Sequence, residues 1–395
     1  MPRNPPSANS QVIIAIIAGL VAAFHIGKIP GALPYLDQAF NLSLPQSGLV
    51  VSSFSVLAAV FGLLTGILSA RIGMYRAGIT GLVFVALGSA IGALSDYYSV
   101  LLLSRVLEGV GFVLVAVTMP GLINRVSPAA TRAVAMGIWG AFIPAAMSLM
   151  LLVSPPIIQF GGWQGLWWTV AGFSLIWAVV FSRTFAKVRL SESTAFPSLA
   201  TTRSLLKPNP LLLVATFICY SSLFAAVTAF LPTFWIANGG VGAATASRLA
   251  AFAVAGNIAG NIFAGFLIGR GHSLPALLCS AMALGGLCAA LLYAGIFSFP
   301  VQVMMALGFT FFAGLLPGAT FASVGDIAPQ PAAIPLLVGM IFQGAGIGQV
   351  LGPMGMSAMV SYGSSWSYAA VFILCVTLIG TGLAACMQKP KPPLS

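Results

Sequence analysis

Apolar segments of roughly 20 residues recur along the whole 395-residue chain, separated by short polar intervals. At about 1.5 Å rise per residue, a helix of this length crosses a hydrocarbon core about 30 Å thick. Of the residues, 59% are hydrophobic and 5% are charged, so a water-soluble domain would lack the polar side chains to cover its surface. The pattern predicts an all-α integral membrane protein with twelve transmembrane helices, near 12–36, 44–70, 76–95, 98–124, 133–158, 163–185, 209–235, 243–269, 274–296, 299–325, 332–360 and 365–388.

A polar interval at 186–208 divides the twelve segments into two sets of six. Similar features recur about 200 positions apart on its two sides, which is typical of a duplicated unit. For example, the run Gly66-Ile-Leu-Ser-Ala-Arg71 is matched by Gly265-Phe-Leu-Ile-Gly-Arg270. The sequence therefore predicts two pseudo-symmetric six-helix bundles: an N-terminal bundle at 1–185, a cytoplasmic linker at 186–208 and a C-terminal bundle at 209–395.

The formal net charge of +11 comes from basic residues that lie singly or in short groups between the apolar segments. No basic domain of the kind that binds nucleic acid is present, and the lipid bilayer is the expected surrounding. If the N-terminus is cytoplasmic, 13 of the 16 Lys and Arg residues fall on the inner side. This asymmetry follows the positive-inside rule. It predicts a multi-pass protein of a bacterial inner membrane with both termini in the cytoplasm.

Two pairs of ionisable side chains interrupt the apolar segments: His25 with Lys28, and Arg105 with Glu108. A spacing of three places each pair on one face of a helix, where charge is costly unless it meets a partner or an aqueous cavity. Arg105 and Glu108 form either a site in which Glu108 takes up a proton or a structural ion pair between helices. His25 and Lys28 form either a cationic face for an anionic substrate, with His25 as a proton relay, or a lysine that extends to the membrane surface beside a locally bonded histidine.

Polar amides also occur inside predicted helices, at Asn257, Asn261 and Gln343. Because an amide side chain without a hydrogen-bond partner is costly in lipid, we expect these side chains to point inward, where they either hold helices together or contact a substrate. The chain has two histidines and lacks a nucleotide-binding loop, a nucleophile setting or a metal-ligand cluster. We therefore expect a protein that is not an enzyme and has no cofactor or metal. The sequence leaves its oligomeric state open, and a monomer is compatible with it.

Two motifs resemble signatures of the major facilitator superfamily. The run Gly66-x-Leu68-x-x-Arg71-x-Gly73-x-x-Arg76 is similar to the cytoplasmic loop signature, although Ala70 stands where the family has Asp. The run Leu102-x-x-Arg105-x-x-Glu108-Gly109-x-Gly111 is similar to the fourth-helix signature, with Glu108 in place of the common Gln. The resemblance implies the major facilitator fold and a role in gating for Gly66, Arg71, Gly73, Arg76 and Arg270.

The short length and the Arg-x-x-Glu-Gly motif resemble most the cyanate and nitroimidazole transporter-like group, although His25-Ile-Gly-Lys28 replaces that group's Asn-Leu-Arg segment. The resemblance implies secondary active transport of a small molecule by alternating access. The membrane segments hold two cationic positions and one deep carboxylate, which favours a small polar or anionic organic solute as the substrate. We expect its transport to be coupled to protons, by symport or antiport. The alternatives are an efflux antiporter that exports a drug or a secreted metabolite such as a siderophore, and a membrane sensor or scaffold that transports nothing.

Overall fold

The computed structural model describes residues 8–62, 73–128, 131–186, 203–330 and 333–388, which are helical apart from short connections. The helices are α1 (Ala8–Phe40), α2 (Leu44–Ser53), α3 (Val56–Gly62), α4 (Met74–Ala93), α5 (Tyr98–Val126), α6 (Arg132–Gly140), α7 (Phe142–Phe185), α8 (Pro208–Gly239), α9 (Ala243–Gly269), α10 (Leu274–Tyr293), α11 (Phe299–Ala322), α12 (Val324–Ile327), α13 (Ile334–Gly363) and α14 (Ser367–Ala385).

Ten of the described helices are long and apolar enough to cross a membrane, and α2 and α3 together make a further span bent by 43°. At 44 residues, α7 would be about 66 Å long, twice the thickness of a hydrocarbon core. Gly162 interrupts it with φ 65° and ψ −178°, a conformation that glycine adopts without a Cβ clash. Counting α7 as two spans gives twelve over the described residues, the predicted number.

Two predicted helices are broken in the structure. The helix expected at 133–158 is interrupted at Ala141, between α6 and α7. Pro144 explains this break, because proline has no N–H to donate to the carbonyl of Gly140 and its ring clashes with that carbonyl. The helix expected at 44–70 bends between Ser53 and Val56. No proline lies there, but the Ser53 hydroxyl donates to the Val50 carbonyl and so competes with the helical hydrogen bonds.

The helices before residues 187–202 pack mainly on each other, and so do the helices after these residues. In the first group, α1 lies along α7 and beside α5, and α4 packs between α5 and α7. In the second group, α9 and α10 both pack on α11, and α8 packs on α13 and α14. Most of the predicted linker lies outside the described residues, so its limits at 186–208 stay a prediction.

Besides contacts of α1 with α8 and α9, two larger contacts join the groups in the described residues: α13 packs on α2 and α3, and α9 packs on α7. Polar side chains bond to carbonyls across both. Ser52 Oγ donates to the Val350 carbonyl at 3.0 Å, and Gln343 Nε2 donates to the Ala59 carbonyl at 3.1 Å. Ser247 Oγ donates to the Leu151 carbonyl at 2.7 Å. The alternating access that the family resemblance implies would require these contacts to separate and form again.

We expect Gly346→Val to separate α3 from α13. A Cβ atom at Gly346 would lie 2.5 Å from the backbone nitrogen of Ala59 and 2.7 Å from the carbonyl carbon of Ala58. Such overpacking costs roughly 1–3 kcal/mol, so maleimide labelling of Ser55→Cys, in a background without the native cysteines, should become about tenfold faster. Gly172→Val is the matched control because nothing lies within 4 Å of its Cβ position. Equal labelling rates in the two variants would contradict the expectation.

Candidate functional site

Four ionisable side chains meet in the core of the first helix group: His25 and Lys28 of α1, and Arg105 and Glu108 of α5. We call them the charge cluster. Each is at most 1% exposed. Glu108 is their common partner, because its Oε1 atom lies 2.5 Å from Lys28 Nζ and 3.1 Å from His25 Nδ1, and its Oε2 atom pairs with Arg105 Nη1. The two pairs predicted separately from the sequence thus form one site.

Glycines allow the backbone to approach the charge cluster closely. A Cβ atom at Gly88 of α4 would lie 2.7 Å from Glu108 Cγ and 2.9 Å from the Ser104 carbonyl oxygen. A Cβ atom at Gly109 would overlap the carbonyl oxygen of Phe54, at the break between α2 and α3. Helix α5 therefore contacts α4 on one side of Glu108 and the helix break on the other, which seals the carboxylate from solvent.

Hydrogen bonds tie the basic side chains of α1 to two further helices. Lys28 Nζ donates to Ser89 Oγ of α4 at 2.9 Å and lies 4.1 Å from the centre of the Trp167 indole ring. Ser89 Oγ in turn donates to the Trp167 carbonyl at 2.8 Å. On the other side, His25 Nε2 and Ser174 Oγ form a 3.0 Å hydrogen bond. The cluster therefore joins α1, α4, α5 and the second part of α7.

Arg105 connects the cluster to the break between α2 and α3. Its Nη1 atom donates to the His25 carbonyl at 2.8 Å, and its Nε atom lies 3.5 Å from the Val50 carbonyl oxygen, one turn before the break. The guanidinium group stacks over the Phe54 ring, with 4.7 Å between Cζ and the ring centroid. A side chain that bonds to a carbonyl beside a break is a common way to stabilise irregular backbone inside a membrane.

The charge cluster carries an excess of positive charge. In their ordinary ionised states Lys28 and Arg105 contribute two positive charges and Glu108 one negative charge. Buried charge is costly unless it is balanced. The arrangement therefore suits either the arrival of an anionic group or the exchange of a proton.

Sequence reasoning missed Ser89, Trp167 and Ser174. A serine inside an apolar segment is a weak signal, because its hydroxyl commonly bonds back to its own helix, as Ser174 Oγ also does to the Val170 carbonyl at 2.9 Å. The alternative in which Lys28 extends to the membrane surface is wrong, since Lys28 is 0% exposed.

The amides predicted as site residues lie outside the charge cluster. On α9, Asn261 Nδ2 donates to Asn257 Oδ1 at 2.9 Å, and these two form a separate polar pair. Gln343 lies on α13, where it bonds to the backbone of α3 in the contact between the helix groups. The structure thus brings together four of the seven candidates and leaves the other three in two separate places.

The residues predicted for the loop motif lie at helix ends or outside the described chain. Gly73 precedes α4 with φ 92°, and the exposed Arg76 lies in the first turn of α4. Arg270 follows α9, with its guanidinium carbon 4.0 Å from the centroid of the Phe266 ring. Gly66 and Arg71 lie outside the described residues. A gating role for this motif stays a prediction.

Twelve apolar spans over the described residues indicate a multi-pass membrane protein, and a buried charge cluster in its first helix group is typical of a transporter. The chain belongs to the Major Facilitator Superfamily, whose family model matches residues 15–333. A bacterial homologue of the human lysosomal transporter Spinster, in an inward-facing and unoccupied conformation, superposes with a TM-score of 0.80 over 99% of this chain and 100% of that one. The two are 15% identical in sequence, so this likeness shows the fold alone.

Relatives with known activities match part of the chain. The hexuronate transporter of Bacillus subtilis is 26% identical over 182 residues, which cover 46% of this chain and 43% of the relative. The galactose-proton symporter of Escherichia coli is 31% identical over 139 residues, covering 33% and 30%. The multidrug transporter mfsC of Aspergillus fumigatus is 24% identical over 183 residues, covering 45% and 35%. The matches thus span less than half the length of each of these relatives.

Proposed function

We propose that this protein is a secondary active transporter that moves a small polar or anionic organic solute by alternating access and couples this movement to protons. The observation that carries the proposal is the charge cluster, in which Lys28, Arg105 and His25 surround the single carboxylate of Glu108 away from solvent. In this proposal the protein binds the solute on one side of the membrane and releases it on the other, and no covalent bond is broken.

The cluster offers a physical route to coupling. An anionic group that reaches Lys28 or Arg105 competes with Glu108 for the same cations, because Glu108 contacts both. A proton taken up by Glu108 removes that competition. The cluster then keeps the same net charge with anion and proton bound as it has with neither. Coupling of this kind limits the cost of moving charge through a medium of low dielectric constant.

The relatives support parts of this proposal. The hexuronate transporter acts on an acidic sugar, as its name states, and the galactose and arabinose relatives are proton symporters. Export is a second candidate, because the relative from Aspergillus fumigatus is a multidrug transporter. We further propose a place in a bacterial inner membrane with both termini cytoplasmic, and kinship with the cyanate and nitroimidazole transporter-like group.

Reconstitution tests the proposal. Purified protein is first screened against organic acids, sugars and cationic drugs by thermal shift, since a ligand that binds the folded state raises its apparent stability. We expect an organic anion to bind and then to accumulate in proteoliposomes when the external medium is acidic. Accumulation driven by the opposite gradient would indicate export by antiport. Binding restricted to cations, or uptake that ignores the pH gradient, would contradict the proposal.

A further inference from the structure

A row of four aromatic rings begins at Arg105. The guanidinium group stacks on Phe54, whose ring centroid lies 5.2 Å from that of Phe112. The Phe112 ring stacks at 6.3 Å on Phe142, and Phe142 stacks at 4.2 Å on Trp139. Interplanar angles of 19° and 17° make the last two contacts nearly parallel. We call these four side chains the aromatic row.

The aromatic row lies where two helix breaks meet. Phe54 occupies the bend between α2 and α3, and Trp139 and Phe142 lie on either side of the break at Ala141. Phe112 of α5 lies seven positions after Arg105, and its ring contacts the rings at both breaks. In membrane transporters, interrupted helices commonly line the place where a substrate binds, because irregular backbone is tolerated only in protein or against a cavity. Two helix breaks in one row of rings, one of them beside a buried arginine, therefore mark this region as more than ordinary packing.

We propose that the aromatic row binds the flat, apolar part of an organic anion whose charged group lies at Arg105. The proposal rests on the proposed function and names its substrate class: a carboxylate attached to an aromatic or otherwise planar group. The three phenyl rings provide no hydrogen-bond donor or acceptor, so the hydroxyl groups of a sugar acid would be buried there without partners. A planar group, in contrast, stacks on such rings.

The two breaks also provide the means of opening. All four rings are buried in this structure, with exposed fractions between 2% and 6%. Trp139 lies against Gly19 of α1, where a Cβ atom would come within 2.6 Å of the indole Cη2 atom. Movement of α6 about Ala141 would separate Trp139 from Phe142, and a change in the bend after Ser53 would move Phe54 away from Phe112. Hinges of this kind are typically a few residues at the ends of helices.

The second helix group contains a matched control. Phe234 packs against Tyr293 and Trp366, at centroid distances of 4.6 Å and 5.6 Å, and is 1% exposed. Phe234 lies inside the continuous helix α8, away from any break. If aromatic rows in this protein serve packing alone, substitutions in the two rows should have similar effects. If the row beside Arg105 binds a ligand, only its substitutions should change ligand preference.

The experiment compares benzoate with glucuronate, two carboxylates of equal charge. Dissociation constants are measured on purified wild-type protein and on the Trp139→Leu, Phe142→Leu and Phe234→Leu variants. We expect wild type to bind benzoate about tenfold more tightly than glucuronate, and each substitution in the aromatic row to reduce this ratio about threefold to tenfold. Phe234→Leu should leave the ratio unchanged. Should Trp139→Leu fail to fold, Trp139→Met is read by the same ratio.

The outcomes separate this inference from the proposed function. Glucuronate bound as tightly as benzoate, or a ratio that both substitutions in the aromatic row leave unchanged, would overturn the inference while anion transport stands. Absence of binding for both probes would also overturn it. In that case the proposed function fails only if the wider screen of organic acids finds no anion either.

Discussion

Glu108→Gln is expected to lower the free energy of unfolding by about 3–5 kcal/mol and to abolish accumulation driven by a pH gradient. The substitution removes the carboxylate that contacts Lys28, His25 and Arg105. It leaves buried cations without their counter-ion, which costs more than the ion pairs themselves contribute. It also removes the group that we propose takes up the proton.

The double variant Lys28→Met with Glu108→Gln separates the two effects. It removes one cation together with the carboxylate, so we expect it to recover a large part of the lost stability but none of the coupling. Asp96→Asn is the control for loss of a carboxylate, because Asp96 is exposed in the connection between α4 and α5 and its substitution should change stability by less than about 0.5 kcal/mol. Denaturant unfolding in detergent gives the free energies, and proteoliposomes give the coupling.

Two results would count against the role of Glu108. If Glu108→Gln is as stable as wild type and still couples transport to the pH gradient, the carboxylate is neither the counter-ion nor the proton site. If stability falls but coupling persists, the structural alternative holds: the Arg105–Glu108 pair then serves to lock α5 to its neighbours.

The sequence predicts the two charged pairs, but it does not predict that the pairs contact each other. A spacing of three fixes two side chains on one face of a helix, yet it carries no information about which way that face turns. Lys28 and Glu108 are 80 positions apart, and their contact depends on how α1 and α5 pack. The close approach of α4 at Gly88 brings Ser89 beside Lys28. Small residues permit such close packing in lipid, but the sequence does not show which neighbouring helix will pack against them.

Helix breaks differed in how far the sequence could predict them. Pro144 gives a local reason for the break at Ala141, because the missing N–H and the ring clash act four residues back. The bend after Ser53 has no proline, and it is stabilised by groups distant in sequence, such as Arg105 and Gly109. Tertiary contacts of this kind leave no periodic signal, which is why the sequence predicts one unbroken helix across this bend.

The glycine of the Arg105-x-x-Glu108-Gly109 motif connects the site to the movement that transport requires. Because this glycine has no Cβ atom, α5 can lie directly against the carbonyl of Phe54, and the position of the charge cluster therefore depends on the bend between α2 and α3. The same bent pair contacts α13 through Ser52 and Gln343. A change of charge at Glu108 and a change in the contact between the two helix groups therefore act on one element, which is the physical requirement for coupling.

Lys28→Met is expected to weaken binding of an organic anion about tenfold to a hundredfold, while binding of its uncharged amide analogue stays the same. A hydrogen bond to a charged group contributes roughly 1.5–3 kcal/mol, and about 1.4 kcal/mol corresponds to a factor of ten in affinity. The reason is that Lys28 and Arg105 supply the positive charge in excess of Glu108. Methionine keeps the length and the apolar stem of lysine, so the loss is confined to the ammonium group.

The expected effect of Lys28→Met on stability is opposite to that of Glu108→Gln. Removing Lys28 leaves Arg105 and Glu108 as a balanced pair, and replacing a buried ion by an apolar side chain of similar volume is often neutral or stabilising. Lys207→Met is the matched control, because Lys207 is exposed at the start of α8 and should alter neither binding nor stability. Isothermal titration with the anion and its amide measures the selectivity. Equal losses for both ligands would assign Lys28 a structural role, since a lysine that recognises charge must distinguish a carboxylate from an amide.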